Sequence, residues 1–170
     1  PKDRPFTAAI VTLSDKGYAG EREDNSGPMI QQILEECTES KYQIIEKMIL
    51  PDEKAKIERQ LCRLADQRQI NVVFTTGGTG FAERDVTPEA TITVCDKMAP
   101  GIAEAMRHYS LSITNRAMLS RAVAGIRKKT LIINLPGSPK AVKESLEYIL
   151  PALGHGLGIL RGTDGECGNA

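Results

Sequence analysis

The sequence predicts an α/β fold, a three-layer αβα arrangement with a mostly parallel central sheet. Near-continuously apolar segments of strand length alternate with segments whose apolar residues recur at helical spacing. Strands that are apolar on both faces are typical of parallel sheets covered by helices on each side. Polar and glycine-containing segments follow these strands, and ligands of such sheets bind at the carboxyl ends of the strands. We therefore expect the functional site at that edge.

In the first half of the chain, a polar loop at 14–25 precedes a helix that begins at Ser26. A second helix is predicted to begin at Pro51-Asp52, and Asp52 there occupies a favourable N-cap position. The apolar segments between these elements predict strands at 6–13, 42–50 and 71–76.

The second half begins with Thr87, which occupies the natural cap position before Pro88. Ser138 and Pro139 form a similar start for the closing helix, which Pro151 is expected to kink or interrupt. The remaining predicted elements are helices at 88–98 and 100–109, strands at 122–126 and 130–135, a charged turn at 127–129 and an unassigned segment at 110–120.

The length and the charge balance limit the classes of protein that fit. The 170 residues suit one domain, expected over 1–162, followed by a flexible tail at 163–170. The 22 basic residues are balanced by 22 acidic ones, which argues against a nucleic-acid partner bound through a basic surface. No segment has the apolar length of a membrane span, so we expect no membrane partner and a cytoplasmic location.

The cysteines and histidines give little support to a zinc site or a catalytic triad. Four cysteines lie far apart, without a Cys-x-x-Cys pair, and the chain has two histidines. We expect Cys37, Cys62 and Cys95 to act as buried small hydrophobic residues on helix faces. His155 is expected to be structural.

The segment Thr75–Gly80, with the sequence TTGGTG, is the strongest functional signal. It directly follows a predicted strand, and glycines allow the backbone N–H groups to approach an anion closely. It matches neither the Walker A pattern nor G-x-G-x-x-G. We expect the phosphates of a ligand to bind at its last five residues, which are Thr76, Gly77, Gly78, Thr79 and Gly80.

Two carboxylates accompany this loop in the predicted fold. Asp85 is not needed for capping because Thr87 serves that purpose, so Asp85 is available to hold Mg²⁺ together with substrate phosphates. Asp52 follows another strand, where helix capping is the competing interpretation.

Two further segments suggest anion binding. Pro136, Gly137, Ser138 and Lys140 surround a predicted helix N-terminus, where backbone amides favour anions, although ordinary capping would explain the same residues. The pair Ser120-Arg121 could bind a phosphate or carboxylate, and a simple surface pair fits equally well.

These segments together resemble the molybdopterin adenylyltransferase family, of the MogA and MoaB type, which is related to a domain of gephyrin and plant Cnx. The matching segments are Ser14-Asp15, Leu50-Pro51-Asp52, TTGGTG continuing into Arg84–Glu89, Leu119–Arg121, Gly125–Arg127 and Asn134–Lys140. Several spaced matches in one order make the resemblance specific.

The resemblance implies a molybdopterin-binding, MogA-like fold that is commonly trimeric. It implies transfer of AMP from Mg-ATP to molybdopterin, with release of pyrophosphate and possible hand-off of the product to a molybdenum-insertion protein. Asp52 and Asp85 are then the functional carboxylates and candidate Mg²⁺ ligands, which outweighs the capping interpretation of Asp52. The expected substrate-binding residues are Ser14, Asp15, Ser120, Arg121, Pro136, Gly137, Ser138 and Lys140.

Two other functions stay open at this point. One is a MoaB-type pterin-binding or scaffold module without significant catalysis, and the other is a nucleotide-dependent enzyme acting on a different phosphorylated small molecule. The presence of both Asp52 and Asp85 favours an enzyme.

Overall fold

The protein is described by a computed structural model, which covers residues 4–163. It contains a six-stranded sheet with the order β2-β1-β3-β6-β5-β4. The strands are β1 Phe6–Leu13, β2 Tyr42–Leu50, β3 Val72–Thr76, β4 Lys97–Met98, β5 Ala124–Arg127 and β6 Thr130–Leu135. The α-helices are α1 Asp15–Tyr18, α2 Ser26–Glu36, α3 Lys54–Asp66, α4 Thr87–Val94, α5 Pro100–Leu111 and α6 Pro139–Arg161. A 3₁₀ helix spans Asn115–Leu119.

The sheet is mostly parallel, as the sequence predicts. Strands β2, β1, β3 and β6 run parallel, whereas β5 and β4 are antiparallel additions at one edge. Parallel pairing brings the carboxyl ends of four strands to the same edge of the sheet. The loops after those strands carry most of the residues expected in the site.

Helices cover both faces of the sheet and complete the predicted αβα layers. On one face, α2, α5 and α6 bury residues such as Ile30, Met106 and Leu146 against β1, β3 and β6. On the other face, α3 and α4 bury Leu61 and Ala90 against the same strands. These two cores hold the sheet between them and fix the strand ends that carry the site.

Strand β2 contains a bulge that affects its pairing with β1. Ala8 pairs with Ile44, but Ala9 pairs with Glu46, so Ile45 is an extra residue. Both Ile45 and Glu46 consequently face α3, where Glu46 forms an ion pair with Arg63. Beyond the bulge the register is regular to the last pair, Leu13 with Leu50.

Three predicted elements differ from the structure. The helix predicted over 88–98 ends at Val94, because Lys97 and Met98 pair with β5 as strand β4. The second helix begins at Lys54 rather than at Pro51-Asp52. Pro151 does not interrupt α6, since buried residues on either side, including Leu150 and Leu153, hold this helix against the sheet.

The cysteines are less buried than expected. Cys37 and Cys95 cap the C-termini of α2 and α4 instead of lying within helices, and both are partly buried, as is Cys62. All three nevertheless pack against the two hydrophobic cores. Within residues 4–163, no helix combines the length and the apolar character needed to cross a membrane. The predicted tail, apart from Thr163, lies outside the described residues.

Candidate functional site

A cavity of about 450 Å³ lies at the carboxyl ends of the parallel strands. The glycine loop after β3, the loop between β1 and α2, and the turn before α6 form its wall. This wall contains eight residues that the sequence assigns to the site: Ser14, Asp52, Thr76, Gly77, Gly78, Asp85, Gly137 and Ser138. The sequence therefore identifies loops that do converge on one cavity.

The glycine loop adopts a backbone that requires glycine. Gly77 and Gly78 have φ values of +95° and +71°, a left-handed region that other residues rarely adopt. A Cβ atom on Gly77 would lie 2.5 Å from the carbonyl oxygen of Leu13, and one on Gly78 would overlap Oγ1 of Thr87. These two glycines thus let the loop lie directly against β1 and α4.

Thr87 holds this loop rather than capping α4. The residue at the N-cap of α4 is Val86, which makes no side-chain cap bond, so the predicted capping by Thr87 is wrong. The buried Thr87 hydroxyl instead donates to the carbonyl of Gly77 at 3.0 Å, and its N–H donates to that of Gly78 at 3.2 Å. At the start of the glycine loop, the hydroxyl of Thr76 donates to the carbonyl of Pro136 at 2.5 Å.

Asp52 is not a helix cap, because α3 begins two residues later and Glu53 is its N-cap residue. Its Oδ2 accepts the N–H of Asp15 at 3.1 Å, whereas its buried Oδ1 has no hydrogen-bond partner among residues 4–163. A Cβ atom on Gly78 would lie 3.3 Å from that Oδ1. Burial raises the pKa of Asp52, and the neighbouring charges of Asp15 and Asp85 raise the pKa further. An unpartnered carboxylate oxygen thus lies beside the glycine loop.

Asp85 lies on the turn that follows the glycine loop. Its Oδ2 accepts the N–H of Ala82 at 3.0 Å and would lie 2.9 Å from a Cβ atom on Gly80. Asp85 lines the same cavity as Asp52, as predicted. Its charge acts on Asp52, so the two carboxylates belong to one electrostatic site.

The cavity wall has a marked excess of negative charge. Within the described part of the chain, it carries the carboxylates of Glu23, Asp24, Asp52 and Asp85 against the single guanidinium of Arg22. Asp24 is occupied by the fold, because it accepts the N–H groups of Ser26 and Gly27 and the hydroxyl of Thr12. A polyanionic ligand could bind to such a wall only together with cations.

The donor set fits Mg²⁺ bound jointly with substrate phosphates. Among residues 4–163, no group of three or more histidine, cysteine, aspartate or glutamate side chains could hold a metal ion. Mg²⁺ in phosphate-binding sites typically takes one or two carboxylates, waters and phosphate oxygens. Asp52 and Asp85 supply that number of carboxylates, and the orphaned Oδ1 of Asp52 is a suitable free donor.

Asp15 lies just behind this wall and is bound to Arg84, a pair that the sequence patterns did not indicate. The guanidinium of Arg84 donates to Oδ2 of Asp15 from Nε at 2.6 Å and to Oδ1 from Nη2 at 2.8 Å. These bonds, together with the N–H of Asp52, lower the pKa of Asp15 to about 2. Asp15 is therefore ionised throughout the physiological range.

Arg121 is bound to the glycine loop and its following turn. Its guanidinium donates to the carbonyls of Gly80 and Asp85, each at 2.7 Å, and to Glu89 at 2.6 Å. Its N–H also donates to the carbonyl of Thr79 at 2.8 Å. Arg121 thus anchors the segment that carries Asp85, and its predicted contact with a substrate anion stays a prediction.

The remaining predicted substrate residues lie outside the 450 Å³ cavity, which we call the polar cavity. Ser120 and Pro136 line a neighbouring cavity of about 220 Å³, together with Met106, Ala117 and Ala141. Lys140 lies on a third, more open surface beside the stacked rings of Tyr109 and Tyr148. The predicted turn at 136–140 therefore borders three separate surfaces.

Several charged residues of this wall were not expected from the sequence. Arg22, Glu23 and Asp24 lie in the loop 14–25, in a part that shows no recognisable binding pattern. The position of that loop at the carboxyl end of β1 was the one available signal.

Comparison with known proteins gives consistent relatives over most of the chain. Residues 9–155 match the family described as a probable molybdopterin binding domain. The molybdopterin adenylyltransferase of Helicobacter pylori strain 26695 is 45% identical over 154 residues, which cover 91% of this chain and 87% of that protein. The protein of that name from Escherichia coli K12 is 44% identical, and the match covers 86% of this chain and 74% of that protein.

Solved structures of relatives share the fold. The molybdopterin biosynthesis enzyme MoaB of Thermus thermophilus superimposes with a TM-score of 0.86 at 44% identity and covers 92% of this chain and 97% of its own. The tungsten cofactor synthesizing protein MoaB of Pyrococcus furiosus gives 0.83 at 36% identity, with coverages of 93% and 98%. A MogA structure gives 0.82 at 35% identity, with coverages of 91% and 99%, which confirms the predicted MogA-like fold. On its fold, its glycine loop and these matches, the chain belongs to the molybdopterin-binding domain family of MogA and MoaB.

Proposed function

We propose that the protein acts in molybdenum cofactor biosynthesis as a molybdopterin adenylyltransferase. It transfers AMP from Mg-ATP to the terminal phosphate of molybdopterin and releases pyrophosphate. Curated relatives with this name are 44–46% identical to the chain over most of its length. ATP is the second substrate that an adenylyltransferase requires.

The observation that carries the catalytic assignment is the buried, unpartnered Oδ1 of Asp52 beside the glycine loop. A buried polar atom without a partner is unfavourable for folding, and such atoms are kept where a ligand supplies the missing interaction. Asp85 lies on the same cavity wall, so the ligand would meet two carboxylates. A Mg-nucleotide fits this arrangement.

In this proposal Asp52 and Asp85 hold Mg²⁺ together with the substrate phosphates. When bound, the ion neutralises negative charge on the reacting phosphates. Backbone N–H groups of the loop at 76–80 bind the nucleotide phosphates and offset the charge that develops as pyrophosphate leaves. Phosphoryl-type transfer depends mainly on such alignment and charge stabilisation.

The proposal requires no nucleophile from the protein, because the molybdopterin phosphate itself attacks. Each serine of the cavity wall forms a hydrogen bond within the protein. Ser14 accepts the N–H of Gly17 at 2.9 Å, Ser26 donates to the carbonyl of Gly137 at 2.7 Å, and Ser138 accepts the N–H of Ala141 at 3.2 Å. These residues shape the loops around the reacting groups.

The neighbouring apolar cavity is the proposed position of the pterin ring. Ser120 and Pro136 line it, and the next residue, Gly137, lines the polar cavity. A ligand that crosses the turn at Pro136 would present its phosphate to the carboxylates while its ring lies among apolar side chains. Homotrimer formation, a cytoplasmic location and hand-off to a molybdenum-insertion protein are further parts of the proposal.

The decisive experiment measures pyrophosphate release from Mg-ATP with and without molybdopterin. We expect release that depends strictly on molybdopterin and that is lost when Mg²⁺ is chelated. Molybdopterin binding without release would favour the scaffold function. Pyrophosphate release that needs a different phosphorylated compound would favour a nucleotide-dependent enzyme with another small-molecule substrate.

A further inference from the structure

Arg84 connects the two proposed catalytic carboxylates through Asp15. It directly precedes Asp85 in the chain, and its guanidinium holds both carboxylate oxygens of Asp15 at 2.6 and 2.8 Å. The turn that carries Asp85 is thereby attached to the first residue of α1, just beyond the end of β1. This contact joins residues that are 69 positions apart in the chain.

Asp15 in turn holds Asp52 through two reciprocal hydrogen bonds. The N–H of Asp15 donates to Oδ2 of Asp52 at 3.1 Å, and the N–H of Asp52 donates to Oδ1 of Asp15 at 2.9 Å. The strand register explains this pairing, because Leu13 pairs with Leu50 and each aspartate lies two residues further along. These bonds occupy one oxygen of Asp52 and leave Oδ1 unpartnered.

We propose that Arg84 and Asp15 form a positioning pair, which fixes the carboxylate of Asp52 relative to that of Asp85 for adenylyl transfer. The inference rests on the proposed function for its kinetic consequences, but its structural consequence can be tested independently. Both residues act through Asp52 and do not contact the reacting phosphates. For Asp15 this role differs from the substrate contact implied by the resemblance.

The charge arrangement gives the pair a second effect. Asp15, Asp52 and Asp85 are three carboxylates in one neighbourhood, and the guanidinium of Arg84 neutralises the first of them. Without Arg84, an unpaired Asp15 carboxylate would repel Asp52 and would no longer accept its N–H in a fixed orientation. The side chains of Arg84 and Asp15 are 58% and 40% exposed, so the pair contributes little to overall stability.

A set of variants separates positioning from direct substrate binding. In Arg84→Gln we expect kcat to fall roughly 10- to 100-fold, because a displacement of about 1 Å in a reacting group can have an effect of that size. The KM values for ATP and molybdopterin should stay within about twofold. Arg84→Lys should recover part of the loss, since it restores the charge but not the bidentate geometry.

The double variant Arg84→Gln with Asp15→Asn provides the critical comparison. The introduced asparagine has no charge, yet its side-chain oxygen can still accept the N–H of Asp52, and its own backbone N–H can still donate. We therefore expect the double variant to be more active than Arg84→Gln alone. A double variant no better than the single one, or a raised KM for ATP with kcat unchanged, would overturn the proposal.

A structural readout tests the pair without any reaction. Amide hydrogen exchange at Asp52 should accelerate by about tenfold or more in Arg84→Gln, because its acceptor is no longer held. Arg63→Gln is the matched control, since Arg63 forms a similar bidentate pair with Glu46 away from the cavity. This control should change neither the exchange at Asp52 nor kcat, and unchanged exchange in Arg84→Gln would contradict the inference.

The two proposals can fail separately. If the wild-type protein releases no pyrophosphate in the presence of molybdopterin, the proposed function is wrong, while the exchange measurement still decides whether Arg84 and Asp15 hold Asp52. If the wild type is active and the exchange at Asp52 is unchanged in Arg84→Gln, the positioning pair alone is wrong.

Discussion

The two cavities on either side of the Pro136–Gly137 turn differ in their chemistry. The larger one is lined by four carboxylates, one arginine and a glycine loop with left-handed residues, as far as the described residues extend. The smaller one combines alanines, Met106 and Pro136 with polar and charged residues such as Arg116 and Glu144, and its Arg107 donates to the carbonyls of Ser120 and Ala122. The difference is consistent with the proposed function, in which the phosphates bind at one wall and the pterin ring binds at the other, across the turn that both cavities share.

The largest effect should come from neutralising the carboxylates of the polar cavity. We expect Asp85→Asn and Asp52→Asn each to reduce adenylyl transfer at least roughly 100-fold, because each removes a charge that, in the proposed function, aligns the metal and the phosphates. Folding should be largely intact, as judged by circular dichroism and thermal unfolding. Wild-type turnover in either variant would refute the assignment of these residues.

The pH dependence of stability gives Asp52→Asn an additional signature. Because the folded-state pKa of Asp52 is raised, the folded protein holds its proton more tightly than the unfolded chain does. Ionised Asp52 therefore destabilises the fold at neutral pH, and this penalty disappears as the pH falls below the pKa of the unfolded chain. We expect the free energy of unfolding of Asp52→Asn to equal or exceed that of wild type at pH 7, and to lose this advantage near pH 4. A variant that is less stable at pH 7 would contradict this interpretation.

The second largest effect concerns the glycine loop of the polar cavity. In Gly78→Ala the new methyl group would overlap Oγ1 of Thr87, and the residue would keep a left-handed backbone. We expect a loss of about 1–3 kcal/mol in the free energy of unfolding and a strong loss of ATP binding. Gly156→Ala is the matched control, because a Cβ atom there meets nothing within 4 Å and the helix should gain stability.

A substitution in the smaller cavity should weaken the binding of molybdopterin and not that of ATP. Ala117→Phe would fill part of this cavity, so we expect the KM for molybdopterin to rise about tenfold while ATP binding stays unchanged. Met118→Phe is the control, since Met118 is 63% exposed and does not line either cavity. Equal effects of Ala117→Phe on both substrates would remove the proposed division between the cavities.

The smallest effect is expected at the rim of the polar cavity. Arg22 is the one cation that the described residues contribute to that wall, and it is exposed to solvent. Arg22→Gln should raise the KM for ATP a few-fold, and the difference from wild type should shrink at high salt because solvent screens the interaction. Arg59→Gln, at an exposed position on α3, is the matched control. A salt-independent effect would exclude simple charge attraction.

The sequence was informative where a single physical signal dominates. Apolar strands and helical spacing correctly predict the layers, and the rule that ligands bind at the carboxyl ends of strands brings Asp52, Asp85 and the glycine loop together. Capping patterns were less reliable. Thr87 and Asp52 both have good capping side chains, but each makes a tertiary contact instead, because the loop and the neighbouring strand offer closer partners.

The contacts that join distant segments could not be predicted. Nothing in the local pattern of Arg84 indicates Asp15, which lies at the start of α1, just beyond the end of β1. Lys140 illustrates the same limit. Its position at a helix N-terminus does not determine on which side of the helix it lies, and the structure places it on a surface away from the polar cavity. The acceptors of Arg121 are a third example, because the sequence pattern does not identify the carbonyls of Gly80 and Asp85 or the carboxylate of Glu89 as partners of its guanidinium.

The bulge in β2 has a consequence for how this chain tolerates changes in length. Ile45 is an extra residue that lies upstream of the regular pairing that leads to Leu50. Deleting Ile45 would convert the bulge into an uninterrupted ladder and leave Asp52 opposite Asp15. Deleting Ile49 would instead move every later residue by one position and reverse the face on which each side chain lies. Insertions and deletions can therefore accumulate at the start of this strand, whereas its last residues must keep their number.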